Sequence, residues 1–153
     1  MEKVVLDGPI REFPMNKHKI LEYVRETAAF DFGGPENSPS DYWIDKAQEF
    51  LKTKFPEDFL WFLREFGGGE INGDEVYSIY EENFDEVTGG DIVYQNAICT
   101  GNFEKGIIVF LENDFGEQYF FKINGNGEIF VMNGEEERSY CNSFSDFLYK
   151  YSN

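Results

Sequence analysis

The side chains best suited to chemistry in this sequence are its carboxylates, since 30 Asp and Glu residues stand beside a single histidine, His18. A pair of carboxylates can serve as acid and base in glycoside hydrolysis, but among so many some pair falls at a suitable separation by chance. His18 lies between Lys17 and Lys19 on a charged stretch, which is typical of a surface residue. A histidine-centred triad or zinc site is therefore poorly supported, and a carboxylate-based hydrolase is only an alternative.

One tripeptide resembles a nucleotide-binding motif and is better explained as a turn. Asp114-Phe115-Gly116 matches the magnesium-binding tripeptide of protein kinases. The sequence has neither the glycine-rich nucleotide loop with its lysine nor the His-Arg-Asp segment that accompany this tripeptide. We therefore expect a tight turn between two strands at this point.

A calcium loop is the other metal site that residue spacing suggests. Asn124, Asn126 and Glu128 alternate as calcium ligands do, but Ile129 stands where such a loop needs glycine, and no acidic residue closes it. Asn and Gly tolerate positive φ, so a hairpin turn is predicted at residues 124–127. We expect the protein to use no metal and no cofactor.

Residues 77–91 mix aromatic and acidic side chains in the way that a protein-binding surface does. Aromatic groups supply contact area, and carboxylates orient the partner and speed its association. A second acidic group spans residues 112–117, and residues 135–137 beside Arg138 form a third. The alternative for each group is an ordinary solvated surface. The residues that we expect to contact a partner are Tyr77, Tyr80, Glu81, Glu82, Phe84, Asp85, Glu86, Asp91, Glu112, Asp114 and Glu117.

Two helices are predicted in the first third of the chain. Residues 4–6 are expected to form a short extended piece, and Asn16 is a suitable N-cap for a helix that reaches about Phe30. The Gly, Pro and Asn content of residues 31–39 predicts a loop. Ser38, with Asp41 three residues later, predicts the capped start of a second helix, which should end before Pro56. Its inward-facing residues should be Trp43, Ile44, Ala47, Phe50 and Leu51.

A third helix has the clearest signals at both of its ends. Pro56 suits a helix start, and Glu57 and Asp58 place negative charge at the positive end of the helix dipole. The glycines at 67–69 predict a left-handed stop. The apolar stripe between these ends consists of Phe59, Phe62, Leu63 and Phe66.

After residue 73 the apolar pattern changes from helical to strand-like. Strands are predicted near residues 75–79, 92–99, 107–111, 119–123 and 129–132. Ser143, with Asp146 three residues later, caps a closing helix whose apolar residues are Phe144, Phe147, Leu148 and Tyr151. This order predicts an α+β fold with N-terminal helices, a mostly antiparallel sheet of about five or six strands and a C-terminal helix.

Composition limits the class of protein. The 153 residues, 41% hydrophobic and 18% aromatic, fit one domain with a substantial core. Cys99 and Cys141 are far apart in sequence, which favours packed free thiols in a reducing compartment. The sequence shows no apolar run of membrane-spanning length and no secretory signal, so we expect a cytoplasmic protein.

The formal net charge is -17 and is unevenly distributed. Residues 1–54 carry 8 basic and 10 acidic residues, whereas residues 55–153 carry 5 and 20. Such a field repels nucleic acids and anionic lipid and attracts a basic partner. We therefore expect no direct nucleic-acid or membrane binding.

Four segments, taken in order, resemble the SMI1/KNR4 family of the SUKH superfamily. They are the helix at residues 42–52, the proline-opened helix with its glycines at 56–69, the turn and aromatic strand at 113–121, and the Ser-Phe-x-x-Phe-Leu helix at 143–148. The resemblance covers about residues 40–151, which leaves residues 1–39 as an N-terminal extension with one helix. It implies a curved sheet of the SUKH type.

Bacterial members of that family are mostly immunity proteins that neutralise toxins. The resemblance therefore implies a non-enzymatic protein that binds a cognate toxin. We expect this protein to be a monomer or a weak homodimer. The acidity suggests a nuclease toxin, because a nuclease needs a basic groove that an acidic protein can fill. The remaining alternative is a scaffold or regulatory binding module.

Overall fold

A computed structural model of the chain describes residues 16–153, so the extended piece predicted at residues 4–6 lies outside the described residues. Within this range the helices are α1 (Lys17–Glu26), α2 (Asp41–Leu51), α3 (Glu57–Phe66) and α4 (Phe144–Tyr151). The strands are β1 (Phe30–Phe32), β2 (Gly69–Ile71), β3 (Asp74–Val76), β4 (Ile107–Glu112), β5 (Glu117–Lys122), β6 (Ile129–Asn133) and β7 (Glu136–Cys141). None of the helices in residues 16–153 is long and apolar enough to cross a membrane.

The seven strands form one curved antiparallel sheet in which every strand pairs with its neighbours in sequence. The predicted α+β fold is confirmed, with one strand more than the upper expectation. The prediction missed β1 and β2 because three residues are too few to show alternation. It missed β7 because that edge strand is mostly charged, as exposed sheet edges often are.

The core lies between one face of the sheet and helices α3 and α4. Phe59 and Phe62 of α3 contact Phe144 at ring-centroid distances of 5.1 and 5.2 Å, and Phe110 of β4 contacts Phe147 at 4.9 Å. All five rings are fully buried. Each contributes about 1.5–3 kcal/mol to folding by leaving water, so the aromatic stripe predicted for α3 is confirmed as core.

The helix ends agree with the sequence signals in most places. Asn16 and Ser143 cap α1 and α4 through their side chains, and Gly67 ends α3 with φ 76°. The cap of α2 is Ser40 and not Ser38, since the Ser40 side chain accepts from Trp43 N and the helix begins at Asp41. Helix α1 was expected to reach about Phe30, but it ends at Glu26. Phe30 instead begins β1, which continues into the segment predicted to be a loop.

The largest correction concerns the strand predicted at residues 92–99, where residues 92–98 are helical. After residues 92–93, Tyr94–Ile98 form a π-helical turn that contacts β4. The buried Asn96 side chain accepts a hydrogen bond from Val109 N at 2.8 Å and donates one to Val109 O at 2.9 Å. One amide side chain thus provides hydrogen-bond partners for the N–H and C=O of Val109, in place of a neighbouring strand.

Both predicted turns are confirmed. The β4–β5 turn contains the Asp114-Phe115-Gly116 tripeptide, and Gly116 N donates to Asn113 O at 3.0 Å. The β5–β6 turn contains residues 124–127, in which Asn124 and Gly127 have positive φ. Among residues 16–153 no three His, Cys, Asp or Glu side chains are grouped as metal ligands would be.

Candidate protein-binding surface

The loop that carries the first acidic group, residues 80–91, is closed by the buried carboxylate of Asp91. Its Oδ2 accepts from Tyr80 N at 2.9 Å, and its Oδ1 accepts from Val93 N and Tyr94 N, each at 2.9 Å. Burial raises the pKa of Asp91, and these three N–H groups act in the opposite direction. Asp91 was expected on the surface, but it is fully buried and holds the two ends of the loop together.

Tyr80 joins the loop to a residue that the sequence prediction missed, Glu75 of β3. The Tyr80 hydroxyl accepts from Gly90 N at 2.8 Å and donates to Glu75 Oε2 at 3.4 Å. A Cβ atom at position 90 would collide with the Glu75 carboxylate. Glycine at position 90 is therefore required for this arrangement, and Tyr80 is held with 41% of its surface exposed.

Glu81 attaches the loop to the beginning of α2. It has φ 60°, and its Oε2 accepts from the backbone N–H of the α2 N-cap, Ser40, at 2.8 Å. The positive end of the α2 dipole also stabilises a carboxylate at this position. Glu81 was expected to contact a partner, but one of its carboxylate oxygens instead holds the loop on α2.

Phe84 attaches the middle of the loop to the side of α2. Its ring contacts Trp43 at 5.9 Å and Phe50 at 5.1 Å between centroids, and Trp43 contacts Tyr42 at 5.5 Å. We call these four residues the aromatic cluster. Phe50 was expected in the core, but it is 42% exposed.

The position of Phe50 follows from helix geometry. The buried residues of α2 are Ile44, Ala47 and Leu51. Trp43 and Phe50, seven residues apart, share a flank about 80° away from the middle of that buried face. Both rings consequently contact Phe84 of the loop, and Trp43 also packs against the core.

The remaining acids of the loop point to solvent. Glu82, Asp85 and Glu86 are exposed. Residues 65–104 contain ten acidic residues and no Lys, Arg or His. Loop and aromatic cluster together therefore form an acidic surface with aromatic rings inside it.

The second acidic group adjoins the first through Tyr77. Tyr77 was expected on the surface but is buried, and burial, followed by the charges of Glu112 and Glu75, raises its pKa to about 12. Two carboxylates from neighbouring strands thus lie near one phenol. The structure therefore places Tyr77, at the start of the first group, beside the β4 end that carries Glu112 of the second.

The β4–β5 turn ends the second group in a fixed conformation. Asn113 Oδ1 accepts from Phe115 N and Glu117 N at 3.0 Å each, and Asn113 Nδ2 donates to Glu117 Oε1 at 2.9 Å. Glu117 is half-buried and also accepts from the Tyr119 hydroxyl at 3.1 Å. Asp114 and Phe115 are exposed, Phe115 by 83%.

The third acidic group begins at the β6–β7 turn and adjoins the second group across the sheet, because Asn133 of β6 pairs with Glu117 on β5 and with Glu136 on β7. Glu137 of β7 forms an ion pair with Lys122 of β5 at 2.9 Å. Strand β7 is the edge of the sheet, three strands from β4. Glu135 and Glu136 are exposed at the β6–β7 turn. These residues belong to neither α2 nor the 80–91 loop, which carry the aromatic cluster, and they serve as a reference surface.

A cavity of about 790 Å³ among the described residues opens where α3 and α4 begin. Its buried carboxylate, Asp58, accepts from Ser145 N at 2.8 Å and from Ser145 Oγ at 3.0 Å. Burial raises the pKa of Asp58, and the two bonds to Ser145 oppose that shift. Asp58 therefore joins two helix starts, which is a structural role.

Residues 38–150 match the SMI1 / KNR4 family (SUKH-1). The matched range contains α2, α3, strands β2 to β7 and nearly all of α4, and with them the whole candidate surface. No curated protein matches the chain. The family match supports an immunity-like role, and the family is generally non-enzymatic. Because the match spans well over half of the chain, the protein belongs to the SMI1/KNR4 family (SUKH-1).

Proposed function

We propose that this protein is an immunity protein that binds one cognate toxin domain and blocks its active site, the toxin being a nuclease. The observation that carries the proposal is the charge of the candidate surface. Between Arg64 and Lys122 the sequence has one basic residue, Lys105, and this stretch supplies the loop, Glu75 and the β4–β5 turn. A surface of this kind complements a basic groove.

The proposed mechanism is occlusion without turnover. A nuclease must hold phosphates, so its substrate groove is lined with basic side chains. Carboxylates on a preformed surface can occupy the same positions, speed the encounter and exclude the substrate. The buried acids Asp58 and Asp91 are committed to backbone and serine hydrogen bonds, which leaves the exposed acids for the partner.

Co-expression with the toxin encoded beside its gene tests the proposal. We expect the chain to restore growth of cells that produce the toxin, and the two purified proteins to elute together as a stoichiometric complex. Nuclease activity of the toxin should fall in proportion to the chain added. Continued toxicity together with the absence of a complex would refute the immunity role, and binding of another protein without rescue would favour a regulatory scaffold.

A further inference from the structure

We propose that the aromatic cluster, Tyr42, Trp43, Phe50 and Phe84, is the central contact area for the partner, and that it receives arginine side chains from a basic protein surface. This inference rests on the proposed function and makes it more specific. It moves the centre of the interface from the loop alone to the junction between the loop and α2.

The cluster exposes more aromatic surface than the fold requires. Tyr42 is 60% exposed and Phe50 is 42% exposed. Helix α2 is already anchored to the core by its buried residues Ile44, Ala47 and Leu51, so packing of the helix does not need these two rings. The rings touch one another in edge-on contacts from Tyr42 through Trp43 and Phe84 to Phe50. Contiguous exposed aromatic surface with a polar border is typical of protein interaction sites.

The cluster is also held in place before any partner binds. Its loop member, Phe84, lies between two anchors, the Glu81 bond to Ser40 N and the Asp91 bonds to Tyr80, Val93 and Tyr94. A surface ordered in advance does not lose that conformational entropy on binding. Central aromatic residues in such surfaces tend to contribute most of the binding energy.

The surroundings of the rings favour a cationic partner. Lys46 Nζ already lies 5.5 Å from the centre of the Tyr42 ring, so the cluster holds a cation of its own chain in this way. The exposed carboxylates of Glu82, Asp85 and Glu86 lie on the loop that carries Phe84. An arginine can stack on a ring and bind a carboxylate with two hydrogen bonds at once.

The same charges disfavour a second copy of the chain as the occupant. Two copies would bring surfaces of like sign together, and each chain carries a net charge of -17. Like charges placed opposite each other across an interface oppose association. A partner with a basic surface has no such cost.

Affinity measurements on the toxin domain encoded beside the gene test the inference. We expect the double variant Tyr42→Ala/Phe50→Ala to raise the dissociation constant at least about tenfold, because truncated aromatic anchors commonly cost more than 1 kcal/mol each. Tyr42→Phe, which keeps the ring, should bind within about twofold of wild type. Phe115→Ala compares the cluster with another part of the candidate surface, because Phe115 is an exposed phenylalanine on the β4–β5 turn. It should change the constant less than about threefold, and all variants should keep the wild-type melting temperature within about 4 °C.

The outcomes separate this inference from the proposed function. Wild-type affinity in the double variant would overturn the inference and leave the immunity role standing. Loss of binding in Phe115→Ala alone would place the interface at the β4–β5 turn and also overturn it. A wild-type dimer that the double variant dissociates would assign the cluster to self-association. If the wild-type chain neither binds nor inhibits the toxin, both proposals fall.

Discussion

Asp91 shows how one buried residue can shape a surface that it does not reach. Its carboxylate accepts three backbone N–H groups and so fixes both ends of the 80–91 loop. Burial raises its pKa, which means that the ionised form is less favourable in the folded chain than in water. The hydrogen bonds offset part of that cost, and without them the loop ends would be left unpaired.

Replacing Asp91 with alanine should therefore both destabilise the fold and loosen the loop. We expect a loss of about 3 kcal/mol in the free energy of unfolding, since three hydrogen bonds to a charged group disappear. Urea denaturation measures this loss, and amide hydrogen exchange should show reduced protection at Tyr80, Val93 and Tyr94. Asp85→Ala, on the exposed part of the same loop, should stay within about 0.5 kcal/mol of wild type. Unchanged protection in Asp91→Ala would contradict the structural role.

The two cysteines should differ sharply in reactivity. Cys99 is exposed, which corrects the expectation of a packed thiol, whereas Cys141 is half-buried and its Sγ donates to Ser143 O at 3.4 Å. Burial raises the pKa of Cys141 to about 12, so almost none of it is thiolate at pH 8. A disulfide reagent at pH 8 should modify one thiol quickly and the second only in denaturant. Cys99→Ser should remove the fast phase, and a fast phase that survives would show that Cys141 is accessible.

At the scale of elements, the conformation of residues 92–98 depends on hydrogen bonds to other parts of the chain. The 92–98 segment has the apolar, β-branched composition of a strand but is helical because Asp91 caps its start and Asn96 pairs with β4. Asn102 adds a hydrogen bond from its Nδ2 to Asn96 Oδ1 at 3.2 Å. A polar side chain thus replaces a strand along part of β4.

Asn96→Leu should consequently be among the most destabilising substitutions in this segment. It leaves the buried N–H and C=O of Val109 without these side-chain partners, and we expect a loss of about 3 kcal/mol in unfolding free energy. Gln95→Leu is the matched control, because Gln95 donates one exposed hydrogen bond to Gly89 O at 2.7 Å. That change should cost less than about 1 kcal/mol. Equal losses in the two variants, compared by chemical denaturation, would refute the strand-replacing role of Asn96.

At the scale of the whole molecule, the distribution of charge matters more than its sum. The exposed acids of the loop lie beside aromatic rings, whereas those of the β6–β7 turn lie beside an edge strand whose Glu137 is paired with Lys122. Both sets add to the same net charge. Only the first combines charge with exposed apolar area, which is why we place the partner there.

Charge reversal should reveal this difference in the rate of association. We expect Glu82→Lys/Asp85→Lys to slow binding of the toxin domain about tenfold at low salt, with a smaller effect as salt screens the field. Glu135→Lys/Glu136→Lys changes the net charge equally and should slow binding less than about threefold. Stopped-flow measurements over a series of ionic strengths test this. Equal slowing by both variants would show that only the total charge acts.

Local signals in the sequence determined much of the fold. The caps at Asn16 and Ser143, the stop at Gly67 and the stripes of α3 and α4 each depend on residues within one or two turns of one another, so they can be read from spacing alone. The same is true of the turns at residues 113–116 and 124–127. Net charge and the mixture of acids and aromatics likewise identified a binding surface as the hypothesis to pursue.

Only the tertiary structure decided which of those residues face solvent. Asp91 and Tyr77 are buried and Phe50 is exposed because each contacts a segment that is distant in sequence. Asp91 accepts from Tyr80 N, Tyr77 N donates to Phe110 O on β4, and Phe50 contacts Phe84 of the loop. The strand-like residues 92–98 became helical for the same reason, since Val109 lies thirteen residues from Asn96 in sequence. Spacing describes a segment's own periodicity, whereas burial depends on what the rest of the chain places against it.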